Sequence, residues 1–535
     1  MKRPLSDSLL GVTPRALLLA LLGSSTVAHA AETTNPPPPS GATRLPESVV
    51  LPSPRATDPE PEPETIKVRL HGEYEARQSF LTLLPVASLA PGGGRESLGQ
   101  SSRLYHWLRA RGLVLIGTHW ELRAEADAPH GMIYGQEPSD IPGSDSDFDR
   151  IQPLRADPRL LRVTLRGKVG EVSLGHTTTQ LGLGLVDADG DQPRWFGTRE
   201  RAATFERVEL KSGSPSSVLR VGVAGDALYR DGNLSLSDGD HLLRVGLSAR
   251  YAPSSGSRLE LLARYEALTR RGALAGAQVV LLDISGGLRR KLPGRSGEVF
   301  AEYEAAYRVG SVSEPTAFAT GGDQTLTSGA IAARAGFALE REQDFRRFAP
   351  WVASVEWGMA SGDSDPTDDG LHRFAMNPNH GVGLILFNEV LRFKTARAQA
   401  LLERSRPGSR FEPLGTRGGV AGATYLNPVL LYRPDPDLTL KLGAVVASAT
   451  SVVVDPASLS SRGQRANFDG GTPFGRSLGS ELDVGAELTL PLDAPTVVRL
   501  SVEGAVASPG SAFDDADGHR LGTQALTTAG LGLTF

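Results

Sequence analysis

The sequence has no cysteine among its 535 residues. This absence excludes a disulfide framework and thiolate metal sites, and it suits a protein that passes through an oxidising periplasm. Aromatic residues are also few, at 6%. Beyond the N-terminal region no window has roughly 18 consecutive apolar residues, so the sequence predicts no transmembrane helix. The net charge of −5 gives no reason to expect a nucleic acid as partner.

The N-terminus has the pattern of an export signal. Positive residues come first, an apolar run ("ALLLALLG") follows, and an A-x-A cleavage site ends at Ala30. We predict a signal peptide at residues 1–30, cleaved before Ala31, because the apolar run is well short of the roughly 20 residues that a membrane anchor needs. Residues 31–64 are rich in proline and acidic side chains, which predicts a disordered periplasmic segment that serves as a tether or docks a partner.

Alternation of polar and apolar residues dominates the region that we predict to fold, residues 65–535. The stretch "TIKVRLHGEYEARQ" is typical, and runs of about 9–13 residues like it recur along the chain. On a strand this pattern makes one charged face and one apolar face. Burying so many charges in the dry core of a soluble sandwich would be prohibitive. The pattern therefore predicts membrane-spanning strands whose apolar face meets lipid and whose charged face lines a water-filled lumen.

Short and long connections alternate between these runs, as expected for short periplasmic turns and long extracellular loops. The long connections include residues 178–203 and 361–382. About 20 candidate strands can be counted, in keeping with a large barrel. The pair within 383–404 is the least regular, and it is either a hairpin of the wall or a segment folded inward. Because both termini are expected in the periplasm, we predict an all-β, antiparallel up-and-down transmembrane β-barrel of about 18 strands, with about 20 as the alternative.

The C-terminal stretch "AGLGLTF" ends in Phe535 and resembles the signal read by the outer-membrane barrel assembly machinery. From signal peptide to Phe535, the chain resembles outer-membrane barrels of the alginate-export type and barrels proposed for polysaccharide secretion. Two stretches, Gly182–Gly197 and His380–Lys394, are similar to a little-characterised proteobacterial outer-membrane family. The resemblance implies an outer-membrane pore of a Gram-negative bacterium for exopolysaccharide. It also implies contact with lipid and lipopolysaccharide, and a periplasmic polysaccharide-export apparatus as partner.

The charged face supplies the candidate site residues. It mixes arginine with glutamate, which departs from the cationic channel expected of a polyanion exporter. The mixture is interpreted either as a lattice of paired charges that holds the strands in register or as a selective anion path. The predicted lumen-lining residues are Arg69, Arg77, Arg123, Arg162, Arg166, Arg220, Arg244, Arg250, Arg264, Arg308, Arg334, Arg499, Glu73, Glu121, Glu302 and Glu304.

Other chemistry has weaker support in the sequence. The acidic cluster Asp187–Asp191 begins with a calcium-loop spacing, but Thr198 stands where a bidentate glutamate is needed, so we interpret it as a solvated external loop. We predict no metal site and no cofactor. His71 and His119 fall among carboxylates without any local catalytic signature, so we predict that the chain is not an enzyme. Polysaccharide secretion is the favoured hypothesis, a general-diffusion or nutrient-uptake porin is the alternative, and a barrel hydrolase is the third possibility.

Overall fold

The fold is described from a computed structural model. The predicted signal peptide, its cleavage position before Ala31 and the proline-rich segment lie outside the described residues and stay predictions. The structure describes residues 66–82, 84–87, 95–98, 102–135, 155–192, 194–197, 199, 201–231, 234–236, 239–254, 256–269, 276–292, 296–313, 324–343, 346–405, 414–492 and 495–535.

Eighteen long antiparallel strands form one closed wall, and each strand pairs with its neighbours in sequence. The predicted all-β barrel and its strand number of 18 are confirmed. The strands are β1 Ile66–Leu81, β2 Ser102–Ile116, β3 Trp120–Tyr134, β4 Arg155–Gly167, β5 Gly170–Thr177, β6 Thr204–Ser212, β7 Leu219–Asp231, β8 His241–Ser254, β9 Ser257–Thr269, β10 Gly276–Lys291, β11 Gly297–Val312, β12 Gln324–Gln343, β13 Arg346–Ala360, β14 Ala423–Asp435, β15 Leu438–Ala449, β16 Ser477–Pro491, β17 Val497–Pro509 and β18 Gln524–Thr534.

The wall closes between its last strand and its first. Strand β18 pairs with β1, with Leu533 opposite Tyr74, and the other edge of β1 pairs with β2. At the seam the Gly72 N–H donates to Phe535 O at 2.7 Å, and the Phe535 N–H donates to Gly72 O at 2.9 Å. Closure leaves no unpaired strand edge for lipid to meet, which is the condition for a sheet to cross a membrane.

The outer face of the wall is apolar. Alternate side chains such as Leu70, 83% exposed, and Leu247, 61% exposed, stand free on this face. The opposite face carries charged side chains such as Glu304, which is fully buried. Exposed apolar residues at every second position form the lipid-contacting belt of an outer-membrane barrel. Within the described ranges, no helix has the length and apolar character needed to cross a bilayer.

Two long connections fold into the barrel. We call the described residues of 178–203, between β5 and β6, the first inner segment, and the described residues of 361–422, between β13 and β14, the second inner segment. The first inner segment contacts strands around the whole wall, from β1 through β9 to β17. Only a segment inside a closed barrel can reach all of them. The prediction of a solvated external loop is wrong for residues 178–203, whose charged groups pair with the inner wall. In 361–382, Ser364 and Thr367–Asp369 are exposed, as predicted, whereas Asn377 and His380 contact the first inner segment.

The irregular pair of candidate strands within 383–404 is helical. Leu386–Leu391 form a π-helix, and Arg392–Ser405 form helix α1. Phe387 and Phe393 are fully buried in the largest apolar cluster of the described residues. The inward-folding interpretation is therefore confirmed and the wall hairpin is wrong. Without this pair, the sequence count falls from about 20 candidates to the observed number of strands.

Smaller elements complete the structure. One connection carries a two-stranded ribbon, and two short strands extend the sheet. A short helix, α2, is capped by Asp455, whose carboxylate accepts the Ala457 N–H at 3.0 Å. These elements are the ribbon Leu84–Ala87 with Arg95–Leu98, the strands Leu234–Ser235 and Gly370–Leu371, helix α2 Pro456–Arg462 and the 3₁₀ turn Ser511–Phe513.

Candidate functional site in the barrel interior

The first inner segment is fixed to the wall by Glu304 of β11. Gly182 has a φ of +47°, and a β-carbon there would lie 2.5 Å from Glu304 Oε2, so only glycine fits this close approach. The Gly184 N–H donates to Glu304 Oε2 at 2.8 Å, and the Leu185 N–H donates to Oε1 at 3.0 Å. Because Glu304 is fully buried, these charge-assisted hydrogen bonds form away from water.

The second inner segment repeats this arrangement on β16. Gly383 has a φ of +64°, and a β-carbon there would lie 2.9 Å from Glu481 Oε1. The N–H groups of residues 384–386 all donate to the Glu481 carboxylate, two of them at 2.7 Å. A G-L-x-L sequence is therefore used twice, at residues 182–185 and 383–386, each time against one buried glutamate of the wall. We call each arrangement a carboxylate clamp.

Asp187 of the first inner segment forms an ion pair with Arg264 of β9 and lies 3.8 Å from Arg244 of β8. Burial alone raises the pKa of Asp187, but the attraction of Arg264 and Arg244 and the hydrogen bond from Arg264 hold the pKa well below its usual range. The carboxylate is therefore a fixed anion inside the barrel. Its interpretation as part of a solvated external loop is wrong.

Asp191 lies among three arginines of the wall. Its Oδ1 contacts Arg109 and is 3.0 Å from Arg111, and its Oδ2 is 2.9 Å from Arg159. Burial raises the pKa of Asp191, and the attraction of the three arginines lowers it by more, so the pKa falls below its usual range. These guanidinium groups occupy the space that a calcium ion would need, which argues against the calcium-loop alternative for Asp187–Asp191.

The two inner segments also bind each other. His380 Nδ1 is 3.0 Å from Leu183 O, and the Asn377 N–H donates to Leu185 O at 2.8 Å. The two stretches that the sequence singled out are thus brought together in the interior. The Arg308 guanidinium of β11 lies 4.7 Å from the centroid of the Phe374 ring in the second inner segment. The two inner segments therefore contact each other as well as the wall.

Most of the predicted lumen-lining residues form ion pairs that link strands. Arg220 is 3.0 Å from Glu171, and Arg334 is 3.4 Å from Glu356. Arg308 stacks on Phe374 of the second inner segment. The predicted residues that take part in ion pairs are Arg77, Arg123, Arg166, Arg220, Arg244, Arg250, Arg264, Arg334, Glu73, Glu121 and Glu302. That the whole predicted set lines a water-filled lumen stays a prediction.

Glu481, Asp187 and Asp191 are not among the site residues predicted from the sequence. The repeated G-L-x-L sequence is the feature of the sequence that could have predicted the two clamps. The same letters recur at Gly530–Leu533, however, where they form part of the ordinary strand β18. Among possible metal ligands, Asp515, Asp517 and His519 bring ligand atoms within 4.8 Å of one another in the last loop, in an exposed position typical of solvated groups.

A closed 18-stranded wall with an apolar outer belt and a charged interior defines an outer-membrane β-barrel protein of a Gram-negative bacterium. No protein-family model and no curated protein matches the sequence. Among solved structures, the chain is similar to the outer membrane protein OprD from Pseudomonas aeruginosa, with a TM-score of 0.47, 9% identity, and coverage of 87% of this chain and 93% of that chain. It is also similar to OccK8 (OprE) of the same organism, with a TM-score of 0.46, 9% identity, and coverage of 88% of this chain and 98% of that chain. For OccAB1 of Acinetobacter baumannii the TM-score is 0.46, the identity is 10%, and the coverage is 87% of this chain and 96% of that chain.

These findings correct two expectations. The similar structures are OprD and Occ barrels rather than alginate-export barrels, so the expected similarity to alginate-export barrels is not supported. The polysaccharide-secretion hypothesis is wrong. The interior agrees with this correction, since a polymer would have to displace two segments that buried carboxylates hold in place. The implied partnership with a polysaccharide-export apparatus stays a prediction.

Proposed function

We propose that this chain is a passive outer-membrane pore for the uptake of small hydrophilic solutes, with the two inner segments as its constriction. The bracing of the interior carries this proposal. The first inner segment reaches Glu73 of β1, Glu304 of β11 and Glu503 of β17. A solute must pass beside this segment, so the pore selects small molecules and excludes polymers.

The inner charges suggest weak selectivity between anions and cations. Wall arginines are matched by carboxylates of neighbouring strands and of the first inner segment, as in the pairs Arg244–Glu266 at 3.2 Å and Arg159–Asp191 at 2.9 Å. A pore lined by balanced charge attracts neither sign strongly. We keep the prediction that the chain has no catalytic role. We also propose outer-membrane lipid, lipopolysaccharide and the barrel assembly machinery as its partners.

Purified protein in planar bilayers and in proteoliposomes tests the pore. We expect stable single channels, and swelling of the proteoliposomes in isotonic monosaccharide or amino acid but not in a long oligosaccharide. Protein unfolded by heat before reconstitution is the control for leakage. A channel that never opens, or one that admits the long oligosaccharide as readily as the monosaccharide, contradicts the proposal.

A further inference from the structure

Each carboxylate clamp has an aspartate beside its glutamate. Ser285 of β10 is opposite Glu304, and Asp283, two positions before Ser285, is on the same face of the sheet as the diagonal neighbour of Glu304. On β16, Asp483 is two positions after Glu481, so the two side chains are neighbours on the same face of the strand. The two aspartates are 3% and 1% exposed. We call Asp283 with Glu304 the first acid pair and Asp483 with Glu481 the second acid pair.

The aspartates lack hydrogen-bond donors. Among the described residues, no group donates a hydrogen bond to either carboxylate oxygen of Asp283 or of Asp483. The Leu384 N–H lies near Asp483 but is donated to Glu481. An ionised carboxylate only accepts hydrogen bonds, so two of them in contact away from water repel each other. One proton held between them removes the repulsion and forms a hydrogen bond, and such a pair titrates as one unit.

We propose that Glu304 and Glu481 are the positioning residues that hold the inner segments inside the barrel, each as half of a proton-sharing acid pair with Asp283 or Asp483. The proposal rests on the proposed pore function and adds how its constriction is held. Each glutamate accepts backbone N–H groups of an inner segment on one side and shares a proton with its aspartate on the other. Loss of that proton places two negative charges together, and the clamp loosens. The pore is therefore wider in alkaline solution.

Charged groups surround the two acid pairs differently. The first acid pair faces Asp187 of the first inner segment, Arg264 of β9 and Arg308 of β11. The second acid pair faces Glu503 of β17, which is itself 3.2 Å from Arg77. The first acid pair thus has cations within reach, whereas a further carboxylate faces the second. Because their surroundings differ, each acid pair has to be tested with its own variants.

Single-channel conductance of the full-length protein between about pH 5 and about pH 10 tests the proposal, since this range extends upward from the ordinary carboxyl pKa. We expect the wild-type conductance to rise at the alkaline end. Glu304→Gln and Glu481→Gln are expected to conduct more at every pH. Their closed-to-open equilibrium should move about tenfold or more, which is the effect of losing one hydrogen bond to a charged group.

The aspartate variants separate the shared proton from the backbone clamp. Asp283→Asn and Asp483→Asn place an amide beside the glutamate, and the amide can donate a hydrogen bond to it at any pH. The double variant is expected to keep the low conductance of the wild type throughout the alkaline range. Heat-modifiable gel migration shows whether the glutamine variants fold. If they do not fold, the double variant tests the proposal by itself. A conductance that still rises at alkaline pH in the double variant overturns the proposal.

Glu302→Gln is the matched control. Glu302 is on the same face of β11, two positions from Glu304, and it pairs with Arg289 at 2.9 Å rather than with an inner segment. Glu302→Gln loses the same charge and is expected to keep the shape of the wild-type pH profile, whatever its conductance at a fixed pH. Wild-type behaviour in both glutamine variants overturns the proposal but leaves the pore standing. A wild type that never conducts contradicts the pore itself.

Discussion

Replacing Asp191 with asparagine tests whether the first inner segment sets the charge that a permeating ion meets. The carboxylate lies among Arg109, Arg111 and Arg159, and its side chain is 34% exposed to the interior. Asparagine has nearly the same shape, so Asp191→Asn removes one negative charge without opening a cavity. The three arginines then lose a shared partner. We expect the pore to become more selective for anions.

The size of this effect follows from Coulomb's law. An ion that passes about 6 Å from a unit charge in water gains or loses about 0.7 kcal/mol. Screening in about 0.1 M salt reduces this energy to about 0.4 kcal/mol. Because the anion gains what the cation loses, the free-energy difference is about 0.8 kcal/mol, and the permeability ratio changes about fourfold.

Reversal potentials in a salt gradient measure this ratio. The difference between wild type and Asp191→Asn should grow as the salt concentration falls, because screening weakens. Asp517→Asn is the matched control, since Asp517 is an exposed carboxylate of the last loop and loses the same charge. An unchanged reversal potential in Asp191→Asn, or an equal shift in Asp517→Asn, refutes the reasoning.

Protonation of Asp191 should change the ion selectivity as Asp191→Asn does, but only at low pH. Burial raises the pKa of Asp191 and the three arginines lower it by more, so its folded pKa lies below the usual aspartate value of about 3.9. The ionised carboxylate therefore contributes stability that is fully present above about pH 3.9 and is lost as the pH falls through the lower folded value. The difference in selectivity between wild type and Asp191→Asn should therefore stay constant from neutral pH down to about pH 4. A change toward the Asp191→Asn value that begins above about pH 5 contradicts the assignment of these ion pairs.

Two further substitutions test the packing. Gly182→Ala places a β-carbon 2.5 Å from Glu304 at a φ of +47°, so it should lower the free energy of unfolding in urea by about 1–3 kcal/mol. Gly225→Ala, with no atom within 4 Å of its β-carbon, should change it little. Phe535→Ala removes the ring that covers Gly72 at the seam, so assembly of the barrel into liposomes should become slower. The rate at which the heat-modifiable gel band forms measures this assembly. An unchanged rate would argue against a role of Phe535 in assembly.

The wall could be predicted from the sequence because strand alternation is a local property. Leu70 and its neighbours at every second position reveal an apolar face without knowledge of any distant residue. The inner segments were not predictable in this way. Asp187 has the composition of a surface loop around it, and its buried position depends on Arg264, 77 residues further along the chain. No local pattern encodes that contact.

The secondary structure of residues 383–404 also could not be predicted from the local sequence pattern. Their irregular alternation was the only sign that they are not strands, and it could not say what they are. The structure explains the irregularity, because Phe387, Val390 and Phe393 are all buried in a helical segment that is surrounded by protein. Apolar residues at such spacings are typical of a helix with several buried faces, and they interrupt the alternation of polar and apolar residues that a strand shows.

The inner wall holds the second inner segment through apolar and polar contacts together. Apolar wall side chains such as Phe300 and Tyr425 belong to the same buried cluster as Phe374, Phe387 and Phe393 of the segment. The backbone of the inner segments is attached by hydrogen bonds. The N–H groups of a turn need acceptors, and Glu304 and Glu481 satisfy several of them with one carboxylate each. Because two clamps carry most of this direct backbone attachment, a change at a single wall position can alter the width of the whole pore.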